Sequence, residues 1–129
     1  MHPSEHNSAA RRHLRSAWLI MAVLLACLWA AAAQAQTARD YYVEISNQTG
    51  FVITHIYISP QDSTSWEEDV LGANRVLGKG ERIRVDLKGY RSPIFDIRLV
   101  DEDGDTYTYW KVDVSRRDIV ARIEHLDRK

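Results

Sequence analysis

The chain is 129 residues long, with 17 basic and 18 acidic side chains, a single cysteine and a formal net charge of −1 at pH 7. The signs are interspersed and no basic stripe is present, which excludes a nucleic-acid binder on charge. A lone cysteine excludes an internal disulfide, and the length allows one principal domain with a single core.

Residues 11–36 read as an export leader. Arg11, Arg12 and Arg15 form a basic start, residues 17–32 are an almost unbroken apolar run, and Ala33-Gln34-Ala35 is a small-x-small cleavage site before Gln36. The run is near the lower limit for a spanning helix, about 18 residues. A retained anchor is therefore the competing reading, and the chain would then touch a membrane only through this leader. The Ala-rich end, the cleavage site and the lack of a basic cluster directly after it favour cleavage after Ala35. Arg11-Arg12 fits a twin-arginine signal only loosely, and the general secretory route is expected. Leu24-Leu25-Ala26-Cys27 is a poor lipidation site, because the apolar run continues through Leu28-Trp29. The expected organisation is a signal peptide at 1–35 and a single domain at 36–129, acting in the periplasm or outside the cell. Cleavage removes Cys27, leaving no thiol for a nucleophile or a thiolate zinc site. It also leaves 94 residues (129 less 35) with 14 basic and 17 acidic side chains.

The rest of the chain reads as nearly all β. Tyr41, Val43 and Ile45 alternate with Tyr42, Glu44 and Ser46, a period-two strand. Asn47-Gln48-Thr49-Gly50 also matches a glycosylation sequon but is read as a turn. Phe51–Ile58 is β-branched and aromatic, hence a second strand. Ser59–Asn74 is too long for a hairpin turn, and Ser65-x-x-Glu68 predicts a capped helical turn over Trp66–Val70. Gly78-Lys79-Gly80 makes a tight turn into a strand in which Ile83, Val85 and Leu87 alternate with Arg82, Arg84 and Asp86. Gly89–Pro93 is a loop. Ile94–Asp101 and Asp105–Val114 are strands joined at Asp103-Gly104, the strongest hairpin signal in the chain. Ile119, Ala121 and Ile123 alternate in a last strand, and His125–Lys129 is a polar tail expected to fray. About six short strands with frequent turns and no βαβ unit predict an all-β domain, a small antiparallel sandwich or barrel-like fold after an N-terminal signal helix.

The order Ser59-Pro60, Trp66-Glu67-Glu68-Asp69, Val70-Leu71-Gly72, then Gly78-Lys79-Gly80, Phe95-Asp96-Ile97-Arg98, the acidic turn 101–105 and Trp110 resembles a family of small exported bacterial proteins of unknown function. Some members bear the label argininosuccinate lyase. Enzymes of that name are several times longer, all-helical and cytosolic, and nothing in this chain matches their signature, so the label implies nothing here. The resemblance covers nearly all of the domain. It implies two cysteines in many members, at places that fall near Pro93 and Ser115 in this chain. If they form a disulfide, its absence here costs about 2–4 kcal/mol unless repacking offsets it, and Pro93 recovers part by restricting the unfolded chain.

Asp101-Glu102-Asp103-Gly104-Asp105 looks like half a calcium loop, making Asp101, Asp103 and Asp105 weak metal candidates. The position of the closing glutamate is Trp110, and no helices flank the loop. The favoured reading is a hairpin turn with its acids in water. Asp62, Glu67 or Asp69 would join a looser site if the loops met. Trp66 is either an exposed stacking surface or a plug over the end of the core, and the plug is favoured because large aromatics bury heavily. The Trp110 face of its strand (Thr106, Thr108, Trp110, Val112) is expected to be core. Tyr107 and Tyr109 are then on the outer face, where they either pack across strands or form a binding platform. Asp96 and Arg98 are expected to share an outer face and pair with Arg84 or Arg82 across a sheet. His55 has no partner for acid–base work and reads as a surface side chain, and the serines at 59–65 lack a nucleophile context. The domain is therefore expected to be a non-enzymatic binding or interaction domain for an envelope protein, without a cofactor. Trp66, Asp69, Tyr107 and Tyr109 are its candidate contact residues. The alternative is a small-ligand module that takes Ca²⁺ or a glycan through the acidic and aromatic residues.

Overall fold

The computed structural model describes residues 14–24 and 37–129. The chain divides into two units, Met1–Thr37 and Ala38–Lys129. In the first, residues 14–24 form a helix with exposed side chains. Arg11, Arg12, Cys27 and the cleavage site Ala33-Gln34-Ala35 lie outside the described residues. Among those described, no helix is long and apolar enough to cross a membrane.

The second unit is all-β. Its strands are β1 (Arg39–Gln48), β2 (Ile53–Pro60), β3 (Arg82–Tyr90), β4 (Ile94–Asp101), β5 (Thr106–Asp113) and β6 (Ile119–Arg122), followed by a 3-10 turn at Ile123–His125. They form two three-stranded sheets, ordered β3-β1-β6 and β2-β4-β5, a small sandwich. Alternation puts Val43 and Ile45 of β1, Ile56 and Ile58 of β2, Phe95, Ile97 and Leu99 of β4, and Ile119 and Ala121 of β6 into one core. The sheets are not wholly antiparallel: β6 runs parallel to β1, with Ile45 opposite Ile119 and Gln48 opposite Arg122. Residues 114–118 carry the chain from β5 into the other sheet, where the last strand adds to the free side of β1.

Asn47, read as a turn residue, is fully buried. Its amide donates to the carbonyls of Phe51, Leu77 and Gly78 at 2.7, 3.0 and 3.1 Å. Its Oδ1 accepts from the N–H and hydroxyl of Thr49 at 3.1 and 2.7 Å. One side chain thus ties the β1–β2 turn to the approach to β3, and its nitrogen is not available as a glycosylation acceptor.

The expected helical turn at 66–70 does not form. The edge of β2 needs partners for its backbone, and this segment supplies them. Asp69 bridges to Tyr57, its Oδ1 accepts from Ile56 N at 2.9 Å, and Val70 N donates to Ile56 O at 2.9 Å. The tail does not fray either, because it seals the opposite edge of the same sheet. Asp127 N donates to Thr106 O at 2.8 Å. The Asp127 carboxylate accepts from Thr108 N at 3.1 Å and from the hydroxyls of Thr106 and Thr108, both at 2.6 Å. Lys129 reaches Asp105 at 3.4 Å. Arg82 and Arg84 do not meet Asp96. They lie in the other sheet, where Arg82 faces Glu44 at 3.7 Å and Arg84 holds Asp86 at 3.0 Å. At the far end of the β4–β5 pair, Val114 N donates to Pro93 O at 3.0 Å. The two places where the resemblance implies cysteines are thus close along the ladder.

Desolvation raises the pKa of Asp127, but the two threonine hydroxyls, the Thr108 N–H and the charge of Arg98 outweigh it and hold the group below its usual value. A lowered folded pKa adds stability that is present above the unfolded value and lost as pH falls through the folded one. Asp127→Ala is therefore expected to lose about 1–3 kcal/mol at neutral pH. The gap from wild type should begin to narrow as pH falls below about 4 and go on narrowing through the lower folded pKa. Urea unfolding at a series of pH values checks this; a gap independent of pH would show that the carboxylate charge contributes nothing.

Candidate functional site

The outer face of the β2-β4-β5 sheet carries the most concentrated chemistry among the described residues. Register brings Tyr57 of β2 opposite Arg98 of β4, and Arg98 opposite Thr108 of β5; Ser59 lies opposite Asp96. Arg98 Nε donates to Thr108 Oγ1 at 3.0 Å. Beside Tyr57, His55 is exposed and stacks on its ring with centroids 6.0 Å apart.

A bulge in β5 completes this face. Phe95 pairs with Val112 but Ile97 pairs with Tyr109, so β5 has one residue more than β4 over this span. Lys111 has φ of 53°, the left-handed region that a non-glycine residue adopts only at a cost of about 1 kcal/mol or more. Asp96 Oδ1 holds it there by accepting its N–H at 2.8 Å. The extra residue reverses the expected facing of the strand. Tyr107 and Tyr109 turn inward before the bulge, Val112 turns inward after it, and Trp110 is thrown out to 61% exposure.

Trp110 meets Trp66 at 5.9 Å between ring centroids, tilted by 40°. Trp66 arrives from the 60–66 loop, which is tied by Ser63 N to Pro60 O at 2.9 Å, by Ser63 Oγ to Ser65 O at 2.7 Å and by Glu67 N to Ser59 Oγ at 2.8 Å. Its ring covers the Arg98 guanidinium at 4.8 Å, a cation–π contact. Trp66 is therefore not a plug over the end of the core; it is half-buried on the outer sheet face. Both indoles line a cleft of about 140 Å³, together with Ser59, Ser63, Thr64, Ser65 and Asp96.

The other candidates are built into the fold. Tyr107 is fully buried, so the outer-face placement expected of it is overturned, and with it the alternative of a binding platform; its hydroxyl donates to Asp101 Oδ2 at 3.1 Å. Tyr109 is half-buried against the core and its hydroxyl meets His125 Nδ1 at 2.9 Å. Asp69 caps β2 and the N–H of Leu71, the latter at 3.0 Å. Asp101, expected in water, is buried, and its Oδ1 accepts the N–H groups of Asp103 and Asp105, both at 3.0 Å. Among the described residues no group of three or more His, Cys, Asp or Glu is placed to hold a metal ion.

Sequence reasoning missed Trp110, Asp96 and Arg98 as members of one site. The signal was present in the phase of β5: apolar residues recur at 107 and 109, then at 112 and 114, a shift that only an extra residue accommodates.

No family model, curated protein or solved structure matches this chain.

Two outcomes are expected from the roles of Asp101 and the tyrosines. Calcium should leave the melting temperature unchanged, since the Asp101 oxygens already serve the turn and Tyr107; a clear rise would restore the ion site. Desolvation, then the Asp101 contact for Tyr107 and the Asp127 charge for Tyr109, push both phenols up to about 12. A raised folded pKa gives stability that is full below the unfolded value, about 10, and lost as pH rises through the folded one. An ultraviolet phenolate titration should therefore show delayed ionisation. Tyr107→Phe and Tyr109→Phe should each remove one late-titrating group.

Proposed function

We propose that this chain is an exported, non-enzymatic binding domain of the bacterial envelope, released by cleavage after Ala35, and that the Trp66–Trp110 cleft is where it binds. The observation that carries this reading is Trp110, held in solvent by a strained bulge. The extra residue lets Tyr107, Tyr109 and Val112 all face the core while leaving Trp110 in solvent, and backbone strain of this kind collects at functional sites. Exposed tryptophans beside arginine are also the side chains that carry most binding energy at interfaces. The leader and the resemblance to small exported proteins support the location. The absence of a thiol from residues 36–129 and the bonding of the acidic residues into turns and edges support binding over catalysis.

Two measurements test this. In a bacterial host, fractionation followed by N-terminal sequencing is expected to recover a periplasmic or secreted chain beginning at Gln36; a full-length cytoplasmic chain would overturn the export reading. A photo-crosslinking residue at Ser65 of the full chain is expected to trap an envelope component, with trapping at least about tenfold lower in a folded Trp110→Ala variant. Equal trapping by that variant, or none from either, sinks the cleft as the binding site.

A further inference from the structure

The composition of the cleft wall narrows its ligand to one chemical class. Resting on the binding reading above, we infer that the Trp66–Trp110 cleft takes a neutral saccharide, one ring at a time. Its volume, about 140 Å³, is below that of pockets for drug-sized ligands, roughly 300–1,000 Å³, and suits a single ring rather than a peptide side chain with its backbone. Its two walls differ in kind. One is formed by the indoles of Trp66 and Trp110, which offer apolar, electron-rich surface. The other is formed by Ser59, Thr64, Ser65 and Asp96. Asp96 Oδ1 is committed to Lys111 N, while Oδ2 and the hydroxyls of Thr64 and Ser65 have no partner among the described residues.

A pyranose matches both walls. Its axial C–H face lies on an indole, and its equatorial hydroxyls project from the ring edge as donors to a carboxylate and partners for serine and threonine. Other classes fit less well. An anion would meet Asp96, and no lysine or arginine is among the described lining residues, since Arg98 lies beneath Trp66. An apolar side chain would leave the hydroxyl wall desolvated without partners. A cation would find a single carboxylate. The shallow, open geometry sets the expectation of weak binding to each ring, so affinity would come from several sugars along a chain.

The test titrates the full chain with cellotriose and with tri-N-acetylchitotriose, reading the indole Nε1–H signals of Trp66 and Trp110 by NMR after assignment with Trp66→Phe and Trp110→Phe. Glycerol serves as the polyol control. At least one trisaccharide is expected to shift both signals while glycerol does not. Trp110→Ala, which removes an exposed ring and should melt close to wild type, is expected to weaken binding about tenfold or more. Shifts with equal affinity in Trp110→Ala place the sugar elsewhere and overturn the inference. No shift with either trisaccharide also overturns it. The Ser65 crosslinking measurement then separates the two failures. A trapped protein that depends on Trp110 leaves the binding reading standing and removes only the saccharide, whereas blank trapping removes both.

Discussion

Two three-stranded sheets without a disulfide have many backbone N–H groups at their margins, and aspartate side chains answer a large share of them. A carboxylate is a pure acceptor that reaches a backbone donor as a neighbouring strand would. Asp69 does this for Ile56 on the edge of β2, and Asp127 for Thr108 on the edge of β5. Asp118 does it for Glu44, ahead of the start of β6, at 3.1 Å. Asp101 closes the β4–β5 hairpin from within and Asp96 holds the bulge in β5. The edge of β3 is managed differently, by exposed Arg82, Arg84, Asp86 and Lys88, which discourage pairing with another chain. Much of the acidity of the domain is thus architectural.

Among these acids, Asp96 alone also lines the cleft. Asp101, Asp69 and Asp127 each have a carboxylate oxygen that accepts two or more donors. Asp96 has one oxygen fixed on the bulge, and its side chain also lines the cleft with the two indoles. The same carboxylate both exposes Trp110 and lines the surface that Trp110 creates. Site and scaffold are therefore coupled through one residue, and the face it organises is held by hydrogen bonds to backbone rather than by loose surface side chains.

The strands were legible because alternation is a strong signal when one face is buried: β1, β3, β4 and the Asp103-Gly104 hairpin follow directly from period two and turn chemistry. What escaped was set by long-range partners. Ser65-x-x-Glu68 has the local form of a helix cap, but an unpaired β2 edge outcompeted it through Asp69 and Val70. The tail looked free because its anchors, Thr106 and Thr108, are about twenty residues away in sequence. Asn47 looked like turn chemistry, while its three carbonyl acceptors come from two separate segments. Tyr107 and Trp110 exchanged faces because strict alternation was carried through a bulge. Of the site, only Trp66 was named as a contact residue beforehand. The parity break between Tyr109 and Val112 was visible in the sequence, but its meaning depended on knowing that both ends faced one core.

The pairing of β6 with β1 has a consequence for how the chain is made. The central strand of the first sheet is the earliest strand in the sequence, and one of its two neighbours is the last, bridged by a contact 74 residues long between Glu44 and Asp118. Contacts of that span are slow to form, because closure entropy must be met before packing repays it. The sheet cannot close until β6 has emerged from the ribosome, so β1 stays without that neighbour while the four strands between them are made. The topology thus delays the completion of the fold until its sixth strand has been made.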